Sequence, residues 1–142
     1  MEFKKQLTKD QALQKLRQYC AYQERCHKEA KEKLYGYGLY KNEVEECLSQ
    51  LIEESYLNEE RFAIQFAGGK FRVKHWGRVK IKYELKQKQV SDYCIRKALA
   101  AIDDDDYMER MKEVFDKKLA TLKSEKNIFI KKRKLQDHLL QK

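Results

Sequence analysis

The chain has 142 residues, 32 basic and 23 acidic, giving a net charge of +9. That length supports one domain or a run of small modules, and 42% hydrophobic with 11% aromatic residues excludes a disordered chain. The absence of proline and the five glycines exclude a turn-rich all-β sandwich, and no apolar run approaches the ~20 residues of a membrane span.

From the N-terminus, residues 1–10 are polar and carry no apolar signal segment, so the expected compartment is the cytoplasm. Thr8 and Gln11 have capping-box spacing. The helix they open carries Ala12, Leu13, Leu16, Tyr19 and Cys20 on one face. A short second helix carries Ala30 and Leu34 and stops at Gly36 and Gly38, which suit C-terminal caps. Asn42 is the expected cap of a third helix bearing Val44, Cys47, Leu48, Leu51 and Ile52. Tyr35, Tyr37 and Tyr40 are expected to pack a joint between units.

A second unit opens at Asn58, followed by Glu59 and Glu60, which favour a positive helix end. Its first helix carries Phe62, Ala63, Phe66, Lys70 and Val73, and Gly68 and Gly69 inside it weaken it and allow a bend. Trp76-Gly77 marks a break. Val79, Ile81, Tyr83 and Leu85 alternate like a strand, but Glu84 to Lys88 are good helix formers and the matching stretch of the first unit is helical, so helix is expected. Ser91 caps a helix with Ile95, Ala98, Leu99 and Ile102.

Asp103 to Asp106 are read as a helix cap, since no Ca²⁺-loop spacing follows. Met108, Met111, Val114, Phe115, Leu119 and Leu122 then line a long helix. After Gly77 the chain runs 65 residues without glycine or proline, which again favours helix.

The units repeat. A shift of 51 residues places Ala12 and Leu13 on Ala63 and Ile64, Cys20 on Phe71, Ala30 on Ile81 and Leu34 on Leu85. It also places Leu39 on Val90, Val44 on Ile95, Leu48 on Leu99 and Leu51 on Ile102. Val114, Phe115 and Leu122 continue the series, and three inserted residues bring Leu135 and Leu139 onto Ile81 and Leu85. The expected fold is therefore all-α: tandem three-helix, helix-turn-helix-like repeats forming a curved elongated array. Residues 1–55 form the first repeat, 56–102 the second, and 103–142 an incomplete third of two helices.

Candidate chemistry concentrates in the second unit. Lys70, Arg72, Lys74, Arg78, Lys80, Lys82, Lys86 and Lys88 face only Glu84, so this stretch holds +7 of the net +9. Arg78, Lys82 and Lys86 are spaced four apart, where like charges oppose helix formation and an acidic partner would relieve them. Phe71, Trp76 and Tyr83 interleave with the cations and can stack on unpaired bases. Phe71 reads better as a core anchor, and Trp76 reads either way. Lys131, Lys132, Arg133 and Lys134 form a second basic turn with no neutralising neighbour. Catalysis finds no support: there is no phosphate loop, HExxH or GxSxG. Cys20, Cys26, Cys47 and Cys94 lack paired metal-ligand spacing and read as reduced core thiols. No cofactor or metal is expected.

The stretch Tyr56-Leu57-Asn58-Glu59-Glu60-Arg61-Phe62-Ala63 resembles a motif of the RecX family, bacterial regulators of the RecA recombinase. The resemblance continues through Phe66, Lys70, Phe71, Arg72, Trp76-Gly77, Ile81 and Glu84-Leu85. In the first unit it includes Ala12-Leu13, Glu29, Lys33-Leu34, Gly38 and the helix of Val44, Leu48 and Leu51. Lys88-Gln89-Val90 departs from the family's Lys-Gly-aliphatic turn, which must therefore close differently here. The resemblance implies a non-enzymatic protein that binds the RecA–single-stranded-DNA filament and most often inhibits recombinase, ATPase and co-protease activity. That places it in DNA repair, DNA recombination and the SOS response. The implied partner is the RecA filament, with single-stranded DNA as a further candidate contact, and a monomer is expected. Two other readings stay open: a direct DNA-binding helical module, and a coiled-coil interaction protein using the Met108 to Leu122 stripe.

Overall fold

The computed structural model describes residues 7–123, 125 and 127–141. Eight helices follow one another among them: α1 Lys9–Tyr22, α2 His27–Gly36, α3 Lys41–Glu53, α4 Glu59–Lys74, α5 Arg78–Gln87, α6 Asp92–Ala100, α7 Asp104–Thr121 and α8 Ile128–Gln141. No strand occurs among the described residues. The alternating stretch from Val79 to Leu85 is helix α5, as the repeat required. No helix is long and apolar enough to cross a membrane among the described residues.

The caps explain where the helices start. Thr8 accepts the Gln11 amide at 3.2 Å while Gln11 returns its side-chain oxygen to the Thr8 amide at 3.0 Å, satisfying two orphan donors. Asn58, Ser91 and Asp103 cap α4, α6 and α7 by accepting the amides of Arg61, Cys94 and Asp106. Asn42 does not cap α3. Tyr40 holds that position, and the Glu43 carboxylate reaches back to the Tyr40 amide at 3.2 Å. Two extra residues, Lys41 and Asn42, thereby enter the first turn.

The repeat places two cores side by side. The first holds Leu13, Leu16, Ala30, Leu34, Val44, Cys47 and Leu51; Leu57 closes it from just past the expected unit boundary. The second holds Phe62, Ala63, Phe71, Ile81, Leu85, Ile95, Ala98 and Ile102. α6 lies along α4, with α5 closing the unit. Val73, expected on the apolar face of α4, is instead 78% exposed, because the helix turns it away from α5 and α6. In the third unit only Val114 and Leu122 of the expected stripe are buried, while Met108 is 66% exposed. α8 packs on α7 and touches α5.

The turn after α5 closes without glycine. Gln89 adopts φ 60°, and its repeat equivalent, Gly38, adopts φ 89°. The left-handed region costs a residue with a Cβ roughly 1–2 kcal/mol. The amide of Val90 bonds the Leu85 carbonyl at 3.1 Å, which holds Gln89 there.

Gly68 and Gly69 do not break α4, which runs from Glu59 to Lys74. A Cβ at Gly69 meets nothing within 4 Å, whereas one at Gly68 would sit 2.7 Å from the Arg72 guanidinium, which lies across it. Gly69→Ala is therefore expected to stabilise the protein by about 0.5–1 kcal/mol through lower backbone entropy in the unfolded chain. Gly68→Ala should gain less, because Arg72 must move. Urea unfolding midpoints of the two variants check this ordering.

The joint between the first and second units is built by the α1–α2 connection and the first turn of α2, not by the tyrosines. Tyr37 packs on the first core, while Tyr35 and Tyr40 are exposed. Glu24 pairs with Arg61, and Arg61 also donates to the Ser55 carbonyl at 2.8 Å. His27 Nδ1 lies 3.2 Å from Glu59, whose other oxygen accepts the Ser91 amide at 2.6 Å. Lys28 donates to the Gln87 carbonyl at 3.2 Å, and Glu29 pairs with Lys88 at 3.6 Å. Cys26, between these groups, is buried in the second unit's core.

All four cysteines are free and buried. Burial pushes the Cys20 and Cys26 thiols up to about 11. In the unfolded chain a thiol ionises near 8.5. The native state therefore keeps this contribution in full below that pH and loses it as pH rises towards 11. The expected result is negligible reaction with a thiol reagent at pH 8 until the chain is unfolded. Stability should decline in alkaline solution, most steeply between about pH 9 and 11. Full labelling of the folded chain at pH 8 would contradict the burial.

Candidate functional site

The basic stretch of the second unit divides into three groups by what each side chain touches. Arg78 is structural. Its guanidinium pairs with Asp104 at 2.6 Å, reaches the Ile102 carbonyl at 3.4 Å and lies 4.1 Å from the centroid of the Tyr107 ring. The Arg78 amide also donates to the Tyr107 hydroxyl at 3.2 Å. This side chain ties α5 to α7 and is not free for a partner. The expected stripe of Arg78, Lys82 and Lys86 therefore loses its first member. With Ile81 and Leu85 pointing into the core, the ~100° step per residue sends Arg78 towards α7 and the two lysines outwards.

Lys74, Lys82 and Lys86 are exposed and pair with no acidic group among the described residues. Around them the surface carries Val79 and Tyr83, 70% and 60% exposed. Arg72 is also exposed, lying across Gly68.

Lys70, Lys80 and Lys88 gather on two rings. Trp76 and Phe66 meet edge to face at 6.3 Å, both partly buried against the second core. The Lys80 ammonium sits 4.7 Å from the Trp76 centroid. Lys70 lies 5.1 Å from Trp76 and 5.4 Å from Phe66, and Lys88 lies 5.7 Å from Phe66. The left-handed His75 ends α4 and lets the Trp76 amide bond the Lys70 carbonyl at 3.2 Å, which turns the indole back onto Phe66. Phe71 is a core residue, stacked on Tyr107 at 5.9 Å.

The second basic turn is only partly open. Lys132 and Arg133 are exposed and Lys131 is half-buried, but Lys134 pairs with Glu125 at 3.3 Å. The sequence places Glu125 nine residues away, in the α7–α8 connection, so it was not visible as a neighbour. No group of acidic, cysteine or histidine side chains suited to a metal ion occurs among the described residues.

One surface escaped the sequence reading. α6 turns Tyr93, Arg96 and Lys97 outwards, opposite its buried Cys94, Ile95 and Ala98, and the Lys97 ammonium lies 5.6 Å from the Tyr93 ring centroid. The signal was the complement of the apolar spacing on a third helix.

Residues 58–99 match the family model described as RecX, second three-helix domain. The chain is 32% identical over 108 residues to the regulatory protein RecX of Lactobacillus johnsonii, an alignment covering 76% of this chain and 40% of that protein. It is 31% identical over 100 residues to the regulatory protein RecX of Clostridium perfringens, covering 70% and 46%. The chain thus spans less than half the length of these relatives. In fold it is similar to the crystal structure of RecX from Lactobacillus salivarius, with TM-score 0.83 and 24% identity over 94% of this chain and 86% of that one. A crystal structure of regulatory protein RecX gives TM-score 0.84 at 20% identity, covering 94% and 65%.

Proposed function

We propose, from the match of residues 58–99 to the second three-helix domain of RecX and the 32% identity to a RecX over 108 residues, that the chain is a RecX-family protein: a non-enzymatic regulator that binds the RecA–single-stranded-DNA filament and inhibits the recombinase. The observation that carries this reading is one of placement. The segment matching the family's second three-helix domain, residues 58–99, contains the whole basic stretch from Lys70 to Lys88, +7 in formal charge. A surface of that sign suits a filament coated in phosphates and acidic side chains.

The structural role of Arg78 narrows the contact set to Arg72, Lys74, Lys82 and Lys86, with the lysines around Trp76 beside them. Lys132 and Arg133 form a second candidate contact on α8. The protein acts by occupying the filament, with no bond made or broken. It works as a monomer in the cytoplasm, where the filament forms.

The test adds the protein to a RecA recombinase, ATP and single-stranded DNA and follows ATP hydrolysis. The expected result is inhibition at protein levels too low to coat the DNA. Unchanged hydrolysis would overturn the reading. A second reading, direct duplex binding, is favoured by the outward Tyr93, Arg96 and Lys97 on the third helix of a helix-turn-helix-like unit. It requires tight, steeply salt-dependent binding to bare duplex, which the same assay without recombinase detects.

A further inference from the structure

We infer that Lys88, Phe66, Lys70, Trp76 and Lys80 form a track for a short stretch of single-stranded nucleic acid, with phosphates on the lysines and unpaired bases on the rings. The inference rests on the filament reading only in taking the strand to be DNA.

The five groups alternate in space: cation, ring, cation, ring, cation. Lys88 and Lys70 both lie within 5.7 Å of the Phe66 centroid, and Lys70 and Lys80 both lie within 5.1 Å of Trp76. They come from α4, the α4–α5 connection that holds Trp76, α5, and Lys88 at the C-terminal cap of α5, so no single periodicity produced the row. A single strand alternates in the same way, with a charged phosphate and a flat base in each nucleotide. An acidic protein surface would use the ammonium groups and leave the rings idle. A duplex would keep its bases stacked and out of reach of a ring.

The rings hold the lysines in place in the absence of ligand. A cation over an aromatic face is weakly held where solvent reaches it, so an ammonium can exchange the ring for a phosphate and leave that face to a base. Lys70 and Lys80 have no carboxylate partner among the described residues, and Lys88 has only the Glu29 contact at 3.6 Å. Both rings keep one side packed on the second core, which fixes their planes.

Trp76 is the sole tryptophan of the chain, so its fluorescence reports this site directly. The full chain is titrated with an oligothymidylate, an abasic strand of equal length and poly-glutamate, with labelled-strand anisotropy read in parallel. The expected result is quenching of Trp76 by the oligothymidylate and weaker binding of the abasic strand. Lys70→Gln with Lys80→Gln should weaken oligothymidylate binding about tenfold and lower its salt slope by about two. These exposed or half-exposed lysines leave the core intact, and unchanged helicity by circular dichroism verifies it. Three results would each overturn the track: strand binding by anisotropy with Trp76 unchanged, poly-glutamate perturbing Trp76 at equal affinity, or no strand binding. Inhibition of ATP hydrolysis is read separately, so an inert Trp76 with inhibition intact removes the track and spares the regulator.

Discussion

Truncating Leu85 to alanine is expected to cost the second unit about 2–5 kcal/mol. Leu85 is fully buried on α5, and its neighbours in the core come from α4 and α6, which the repeat fixes on either side. The void left behind cannot fill easily, because Ile81 and Ile95 are themselves buried. Leu34, the repeat equivalent, is also fully buried, but in the other core. Leu34→Ala should cost a similar amount, and the double variant should show the two losses adding to within about 0.5 kcal/mol. Urea unfolding followed by Trp76 emission reports the second unit, while circular dichroism reports both. A loss below about 1 kcal/mol at Leu85 would mean that α5 is not held as the structure has it.

Reversing charge at Lys74, Lys82 and Lys86 together is expected to weaken inhibition of the filament by on the order of a hundredfold. Three reversals of two units each take the net charge from +9 to +3, and like charges forced together across an interface cost several kcal/mol. These lysines are exposed, so the fold should survive and unfolding midpoints should hardly move. Arg78→Glu should behave in the opposite way. It sets a carboxylate against Asp104 and removes the cation from Tyr107, so it should loosen α7 from α5 and lower stability. Filament inhibition and unfolding measured on both variants separate the two roles. Full inhibition by the triple variant would show that the partner uses another face.

The helices were legible because their signals are local. The capping pairs at Thr8, Asn58, Ser91 and Asp103 lie within three residues of the amides they serve. The apolar spacing of α1 to α6 names most of each buried face without reference to any other helix, although Val73 on α4 and Met108 on α7 face solvent. The 51-residue repeat then settled the one ambiguous segment, since α2 and α5 occupy equivalent places. The cap of α3 was missed because Tyr40 is an unusual residue in that position and Asn42 a favoured one.

The candidate site was legible as a composition and not as an arrangement. Eight cations in one stretch were plain, yet one of them is a strut. Nothing near Arg78 in sequence announces Asp104 and Tyr107, which lie 26 and 29 residues further on. Lys134 and Glu125 repeat the lesson on a smaller scale.

By itself the sequence determined that this protein is all-α, built of tandem three-helix units, strongly basic in the second and similar to RecX proteins. Each of those properties follows from periodicity, capping or the order of residues along the chain. Only the tertiary structure decided which cations are spent inside the protein, that residues 24–29 form the joint, and that Lys70, Lys80 and Lys88 meet on two rings. Those outcomes depend on where one helix lies against another, and charge and ring contacts form between whatever surfaces the packing brings together.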